Sequence, residues 1–125
     1  MRIIMRRKIV PEDLEVNETL RFHPQYGMFI KEYEEEGEIA ANVEEELPPK
    51  VLRRLMSKRM VEILEILERG ESINISELAR KLGRSVPNVY YDLQFLEKHR
   101  VVYLRRMGSI KIPILLLEEI RVRFD

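Results

Sequence analysis

Apolar residues return every three or four positions through the middle of the chain, in three successive stretches. The first helix is predicted to begin near Pro49, since proline is favoured in a first helical turn, and to end at Gly70. A second, shorter helix ends at Gly83, and a third follows the N-cap candidate Ser85 and runs to about His99. Each helix has one apolar stripe, which predicts that the three share a core. The stripes are Leu52, Met56, Met60, Ile63, Leu64 and Leu67, then Ile75, Leu78, Ala79 and Leu82, then Val86, Val89, Leu93 and Leu96.

After the third helix the pattern changes to one typical of strands. Residues 101–106 and 110–112 are predicted to be two strands that flank the turn Met107-Gly108-Ser109. Glycine in that turn allows a positive φ at little cost, so the two strands are predicted to form a β-hairpin. Residues 118–124, EEIRVRF, alternate apolar and arginine side chains, which predicts another, half-buried strand.

The first 48 residues have a weaker pattern. Residues 1–10, MRIIMRRKIV, and 27–33, GMFIKEY, are candidate strands, and 38–43, EIAANV, is a candidate partner of 27–33 in a hairpin. The acidic run and the two prolines of EEELPPK, residues 44–50, mark a boundary. We therefore divide the chain into an acidic, β-rich arm over 1–48 and a second domain over 49–125. The arm is too short for its own core and is expected to pack on the second domain or on another subunit.

Charge separates the same regions, although 22 basic and 22 acidic residues balance over the whole chain. Residues 1–49 hold 6 Lys and Arg against 12 Asp and Glu, whereas residues 50–111 hold 14 against 7. A basic segment of this kind indicates a module that binds a polyanion. The alternative is a chance separation of solvated charges.

Composition excludes several classes of protein. The chain has no cysteine, so disulfides, thiolate metal sites and cysteine nucleophiles are excluded. Its two histidines, His23 and His99, lie far apart, and no metal site, cofactor or enzyme activity is predicted. No apolar run approaches the roughly 20 residues of a membrane span, and no signal peptide is recognised at the start. We expect a cytoplasmic protein.

The order of these elements leads to a family resemblance. The segments ISELARKLGRSVPNVYYDLQFLEK, VVYLRR and IPILLLEEIRVRF resemble archaeal winged helix-turn-helix transcriptional regulators of the MarR-like kind, especially a group of small DNA-binding proteins. The resemblance covers residues 57–125. It implies an α+β fold in which a three-helix core carries a β-hairpin wing, here with the N-terminal β-rich arm added. This chain departs from the family in two places: the recognition helix has no Arg or Lys before Lys98, and His99-Arg100 replaces the Leu-Gly pair that often closes this helix.

The resemblance places the start of the recognition helix at residues 84–88, and a projection at 100° per residue gives its outward face. Pro87, Asn88, Tyr91, Gln94 and Lys98 fall opposite the apolar stripe. Asn88 and Gln94 are candidates for bidentate pairs with adenine, while tyrosine hydroxyls and wing cations are suited to phosphates. The predicted DNA contacts are Lys81, Arg84, Ser85, Pro87, Asn88, Tyr90, Tyr91, Gln94, Arg105, Arg106 and Lys111.

The predicted function is a transcriptional regulator that binds double-stranded DNA as a homodimer, since one recognition helix buries too little surface for high specificity. The sequence does not indicate a small-molecule effector. Two alternatives remain: a winged-helix module that binds a protein through Tyr90, Tyr91 and Phe95, and an antitoxin-like protein whose acidic arm masks a partner. The arm could also lie over the basic domain when DNA is absent. In another reading, Tyr90 and Phe95 simply pack against the first helix or the wing.

Overall fold

The computed structural model describes residues 1–10 and 42–125, in which four helices lie between strands from both parts of the chain. The predicted hairpin of residues 27–33 and 38–43 and most of the acidic arm lie outside the described residues, so the proposals that depend on them stay predictions. The elements are β1 (Arg2–Lys8), β2 (Asn42–Glu46), α1 (Pro49–Leu55), α2 (Lys58–Glu68), α3 (Ile75–Leu82), α4 (Val86–Lys98), β3 (Val102–Met107), β4 (Ile110–Leu115) and β5 (Leu117–Arg123).

Helices α2, α3 and α4 form the core that the apolar stripes predict. Ile63, Leu78 and Leu93, one from each helix, are completely buried in a single cluster. Strands β3 and β4 pair as an antiparallel hairpin around Gly108, whose φ is +66°. A three-helix core with this hairpin is a winged helix-turn-helix, so the predicted α+β fold class is confirmed.

The single helix expected from Pro49 to Gly70 is wrong, because the chain forms two helices there. Ser57 is extended, with φ −64° and ψ 152°, and its hydroxyl donates to the carbonyl oxygen of Arg54 at 2.7 Å. A serine side chain that binds the backbone in this way competes with the helical hydrogen bonds. Met56, which the apolar stripe includes, is consequently 49% exposed at the break.

A three-stranded antiparallel sheet joins the two parts of the chain. β1 is its central strand, in the order β2-β1-β5. Ile3 lies opposite Val122 and Met5 opposite Ile120, and both β1 residues belong to the same core as the helices. Strand β1 of the arm thus shares a core with residues 49–125. The division into domains 1–48 and 49–125 stays a prediction.

The other face of this sheet carries ion pairs between neighbouring strands. Arg2 bonds Glu46 at 2.8 Å, and Arg121 bonds both Glu44 at 2.8 Å and Glu119 at 2.9 Å. Arginine and glutamate alternate between the strands, so no single sign of charge dominates this face.

Helix α4 ends at a residue that strains the backbone. Arg100 has φ +58° in the left-handed region. The N–H of Arg100 donates to the carbonyl of Glu97 at 3.0 Å and that of Val101 to Leu96 at 2.9 Å. This pattern is a Schellman motif, in which glycine normally holds the position of Arg100.

Replacing Arg100 with glycine is expected to stabilise the protein. The left-handed conformation costs a non-glycine residue about 1–2 kcal/mol, and glycine avoids this cost. Glycine is more flexible in the unfolded chain, however, so ordering it on folding costs about 0.5–1 kcal/mol in conformational entropy. The free energy of unfolding should therefore rise by about 0.5–1 kcal/mol, as measured by urea denaturation. Glu97→Gly, in the exposed last turn of α4, is the control and should lower it by about 1 kcal/mol. A loss of stability in Arg100→Gly would show that side-chain contacts of Arg100 outweigh the strain.

Candidate nucleic-acid interface

The turn between α3 and α4 is built by local capping interactions. Asn74 caps α3, because its Oδ1 accepts from the N–H of Glu77 at 2.8 Å. Gly83 ends α3 with φ +65°, a conformation that favours glycine. Ser85 caps α4 as predicted, since its Oγ accepts from the N–H of Asn88 at 3.3 Å. These caps fix the direction in which α4 leaves the turn, which is the geometry of a helix-turn-helix.

The outward face of α4 agrees with the projection from sequence. Pro87, Asn88, Tyr91, Gln94 and Lys98 are all exposed, and Tyr91 is 62% exposed. Val86, which was predicted to belong to the buried stripe, is 43% exposed, so that prediction is wrong. As the first residue of the helix, Val86 precedes the turns that pack on the core. The face is polar and aromatic, with a cation at its C-terminal end.

Tyr90 joins α4 to the wing. Its hydroxyl lies 3.2 Å from Nζ of Lys111, and the same ammonium is 5.3 Å from the centre of the tyrosine ring. Tyr90 is half-buried and packs against the core. The contact fixes one face of the hairpin beside α4.

The two wing arginines lie on opposite faces of the hairpin, because successive side chains of a strand point to opposite sides. Arg106 is directly opposite Lys111, so both share the face that meets α4. Arg105 is opposite Ile112 and lines an open groove of about 560 Å³ together with Gly70 and Glu71. The sequence analysis treated the two arginines as equivalent, and the structure separates them.

Lys81 takes part in a surface ion pair. Its Nζ lies 2.9 Å from Oε2 of Glu71, and both side chains are about half exposed. This hydrogen bond and the charge of Lys81 hold the pKa of Glu71 below its ordinary value. Through Glu71, Lys81 lies beside the groove that Arg105 lines.

Asp92 is a buried acidic residue that the sequence analysis missed. It is 1% exposed and accepts hydrogen bonds from Nε of Arg59 at 2.9 Å and from Nη2 of Arg84. The burial of Asp92 could have been predicted from spacing, because Asp92 follows Val89 by three positions and precedes Leu96 by four, which places it on the buried stripe. Arg84, predicted as a DNA contact, is thereby engaged inside the protein, with only 15% of its side chain exposed.

Arg54, another residue that the sequence analysis missed, covers the aromatic side chains of α4. The guanidinium of Arg54 lies 4.0 Å from the ring centre of Phe95 and 5.6 Å from that of Tyr91. Phe95 also meets His99 edge to face, with ring centres 4.8 Å apart. Partial burial, followed by the charges of Lys98 and Arg54, lowers the pKa of His99. Phe95 thus packs between α1 and α4, and Tyr91 is the exposed member of this group.

No group of three or more His, Cys, Asp or Glu side chains is placed to hold a metal ion within residues 1–10 and 42–125. Over the same residues, no helix has both the length and the apolar character to cross a membrane.

The fold, the capped turn and the cationic wing define a winged helix-turn-helix protein. The model of the HVO_A0114 family matches residues 55–122, just over half of the chain, and the chain belongs to the HVO_A0114 family. Among solved structures, the crystal structure of AntR, an antimony-specific transcriptional repressor, is similar, with 22% sequence identity and a TM-score of 0.47. That similarity covers 52% of this chain and 59% of the AntR chain, so it spans less than two thirds of AntR. A comparison with curated protein sequences found no match.

Proposed function

We propose that the protein is a transcriptional regulator that binds double-stranded DNA through the outward face of α4 and the wing, as the archaeal MarR-like resemblance implies. The contact between Tyr90 and Lys111 carries the proposal. It holds a cationic strand face, with Arg106 and Lys111, next to a helix face whose exposed residues can bond bases. A polar helix face flanked by cations is what binding to a major groove and its phosphates requires.

The proposed contacts have different roles. The N-terminus of α4 carries the positive end of the helix dipole, and the Ser85 hydroxyl remains able to donate to a phosphate there. Arg106 and Lys111 neutralise phosphates beside the groove. Gln94 and Asn88 reach base edges, and Tyr91 contacts a thymine methyl group or a phosphate. Arg105, on the opposite face of the hairpin, and Lys81, which is paired with Glu71, are left out of the proposed contacts.

DNA binding is tested with the full chain and a fluorescein-labelled duplex of random sequence. Anisotropy should show binding at low salt that weakens steeply as salt rises, because bound cations release counterions from the phosphates. Gln94→Glu should weaken binding by about tenfold at low salt, since it places a carboxylate toward the phosphates. Arg2→Ala, which removes an exposed cation from the central strand β1, is the control and should bind normally. Absence of binding at low salt would contradict the proposal and favour a protein partner at Tyr91.

We further propose that β5 joins two copies into a homodimer. β5 has a strand on one side only among the described elements. An antiparallel pair of β5 strands centred on Ile120 would place Glu119 of each copy opposite Arg121 of the other, so the edge is complementary in charge to itself. The apolar residues Val122 and Phe124 are exposed on the same strand end, at 43% and 82%. Dimerisation would let two α4 helices read two half-sites.

The dimer contact is tested by replacing Val122 with glutamate. In the proposed pairing residue 122 lies opposite Glu118 of the other copy, so two like charges on each side should shift the protein from dimer to monomer by at least tenfold in dissociation constant, as measured by sedimentation equilibrium. Val86→Glu is a matched control, because Val86 is also 43% exposed but lies on α4. A wild-type monomer at all concentrations, or equal effects of both variants, would contradict this contact.

A further inference from the structure

The side chain of Asn88 is held in one orientation by Arg84. Nε of Arg84 lies 2.6 Å from Oδ1 of Asn88, and Nη2 lies 3.4 Å from the main-chain oxygen of the same residue. A guanidinium only donates hydrogen bonds, so the amide atom that faces it must be the oxygen. The amide nitrogen of Asn88, a donor, therefore points away from Arg84.

Arg84 is itself fixed from within the core. Its Nη2 donates to Asp92, whose side chain is 2% exposed and is also bound by Arg59. The chain of contacts runs from a buried carboxylate through a mostly buried guanidinium to an amide on the exposed face of α4. Asn88 thus loses little freedom on binding, and such preorganisation favours a specific contact over an adaptable one.

We propose that Asn88 determines base specificity by donating from Nδ2 to an acceptor in the major groove, and that Arg84 is a positioning residue. The inference rests on the proposed function, since it assumes that α4 enters that groove. It also revises the role of Arg84, which the sequence analysis placed among direct DNA contacts.

The chemistry of the held amide favours guanine. Guanine presents two acceptors, N7 and O6, in the major groove, and thymine presents one, O4, beside its methyl group, whereas cytosine presents the donor N4–H₂. Adenine presents one acceptor and one donor, and a bidentate pair with it needs Oδ1 of Asn88 as an acceptor. That oxygen already accepts a short bond from a cation. Guanine, the base with two acceptors and no donor, is therefore the best match to the outward Nδ2, in place of the adenine pair expected from the sequence.

The test is selection from a library of random duplexes, with sequencing of the bound fraction. Wild-type protein should prefer guanine by about fivefold or more at one position in each half-site, the lower range of discrimination by a base-edge contact. Asn88→Ala should abolish the preference at that position alone. Asn88→Asp offers only acceptors and should change it from guanine to cytosine, while the added negative charge weakens binding at all sequences.

Arg84→Lys separates positioning from charge. The lysine keeps the positive charge but cannot bridge Asp92 and Asn88 as the guanidinium does. We expect the guanine preference to fall at the same position while the salt dependence on random duplex stays unchanged. A guanine preference that Arg84→Lys leaves unchanged would overturn the positioning role of Arg84.

The outcomes separate this inference from the proposed function. If wild-type protein does not bind any duplex at low salt, both fail. If it binds with base preferences that Asn88→Ala and Asn88→Asp leave intact, the inference alone fails. Thermal melting of each variant confirms folding, and should Arg84→Lys not fold, the expected change to cytosine in Asn88→Asp decides the role of Asn88.

Discussion

Replacing Asp92 with alanine is expected to lower the free energy of unfolding by about 3–5 kcal/mol. Removing one partner of a buried ion pair leaves the other charge buried without compensation, which is the main source of so large a loss. Here the charge left behind is chiefly that of Arg84, because its side chain is 15% exposed, whereas that of Arg59 is 51% exposed and can be solvated. Urea denaturation monitored by circular dichroism measures the change.

Two further variants make this measurement specific. Glu97→Ala removes an exposed carboxylate from the same helix and should change stability by no more than about 0.5 kcal/mol. The double variant Asp92→Leu, Arg84→Met replaces both buried charges with apolar side chains and should recover most of the loss. A cost below about 1 kcal/mol for Asp92→Ala would contradict the buried position of this carboxylate.

Removing both cations from the wing face beside α4 is expected to have the second largest effect. In the double variant Arg106→Ala, Lys111→Ala, the logarithmic dependence of DNA affinity on salt should become shallower by about two, one for each lost phosphate contact. The reason is geometric, because Lys111 contacts Tyr90 of α4 and Arg106 lies directly across the hairpin from it. Anisotropy on a random duplex across a range of salt concentrations measures the slope.

Arg105→Ala is the matched control for the wing. It removes the same type of charge from the neighbouring position, but from the opposite face of the hairpin, and should leave the slope almost unchanged. Equal losses for Arg105→Ala and Arg106→Ala would show that the hairpin contacts DNA edge-on, with both faces near phosphates. A loss confined to Arg105→Ala would place the DNA against the groove beside Gly70 and Glu71.

Much of the fold could be predicted because apolar periodicity directly reflects a shared core. The stripes identified α2, α3 and α4, and the glycine turn identified the hairpin. The break between α1 and α2 could not be predicted in this way, since Met56 continues the apolar spacing through it. The cause is a hydrogen bond from the Ser57 hydroxyl to the carbonyl oxygen of Arg54, which the hydrophobic pattern does not indicate.

The candidate site was predicted less completely, for a different reason. A helical projection gives the outward face of α4, because side-chain directions on one helix follow from spacing alone. The support of that face depends on contacts between elements. Arg59 reaches Asp92 from α2, and Arg54 reaches Phe95 from α1, and neither spacing nor composition predicts such pairs. The alternation of Arg105 and Arg106 was visible in the sequence and could have separated their roles.

The pairing of β1 with β5 has a consequence for how the chain folds during synthesis. Ile3 leaves the ribosome more than a hundred residues before Val122, its partner in the sheet. Until β5 has emerged, the apolar side chains of β1 have no partner on that edge, while α2 and α3 can already form from local contacts. Pairings over such sequence separations form late and slowly. The nascent protein should therefore form helices before its sheet closes, and the apolar side chains of β1 are open to chaperones in that interval.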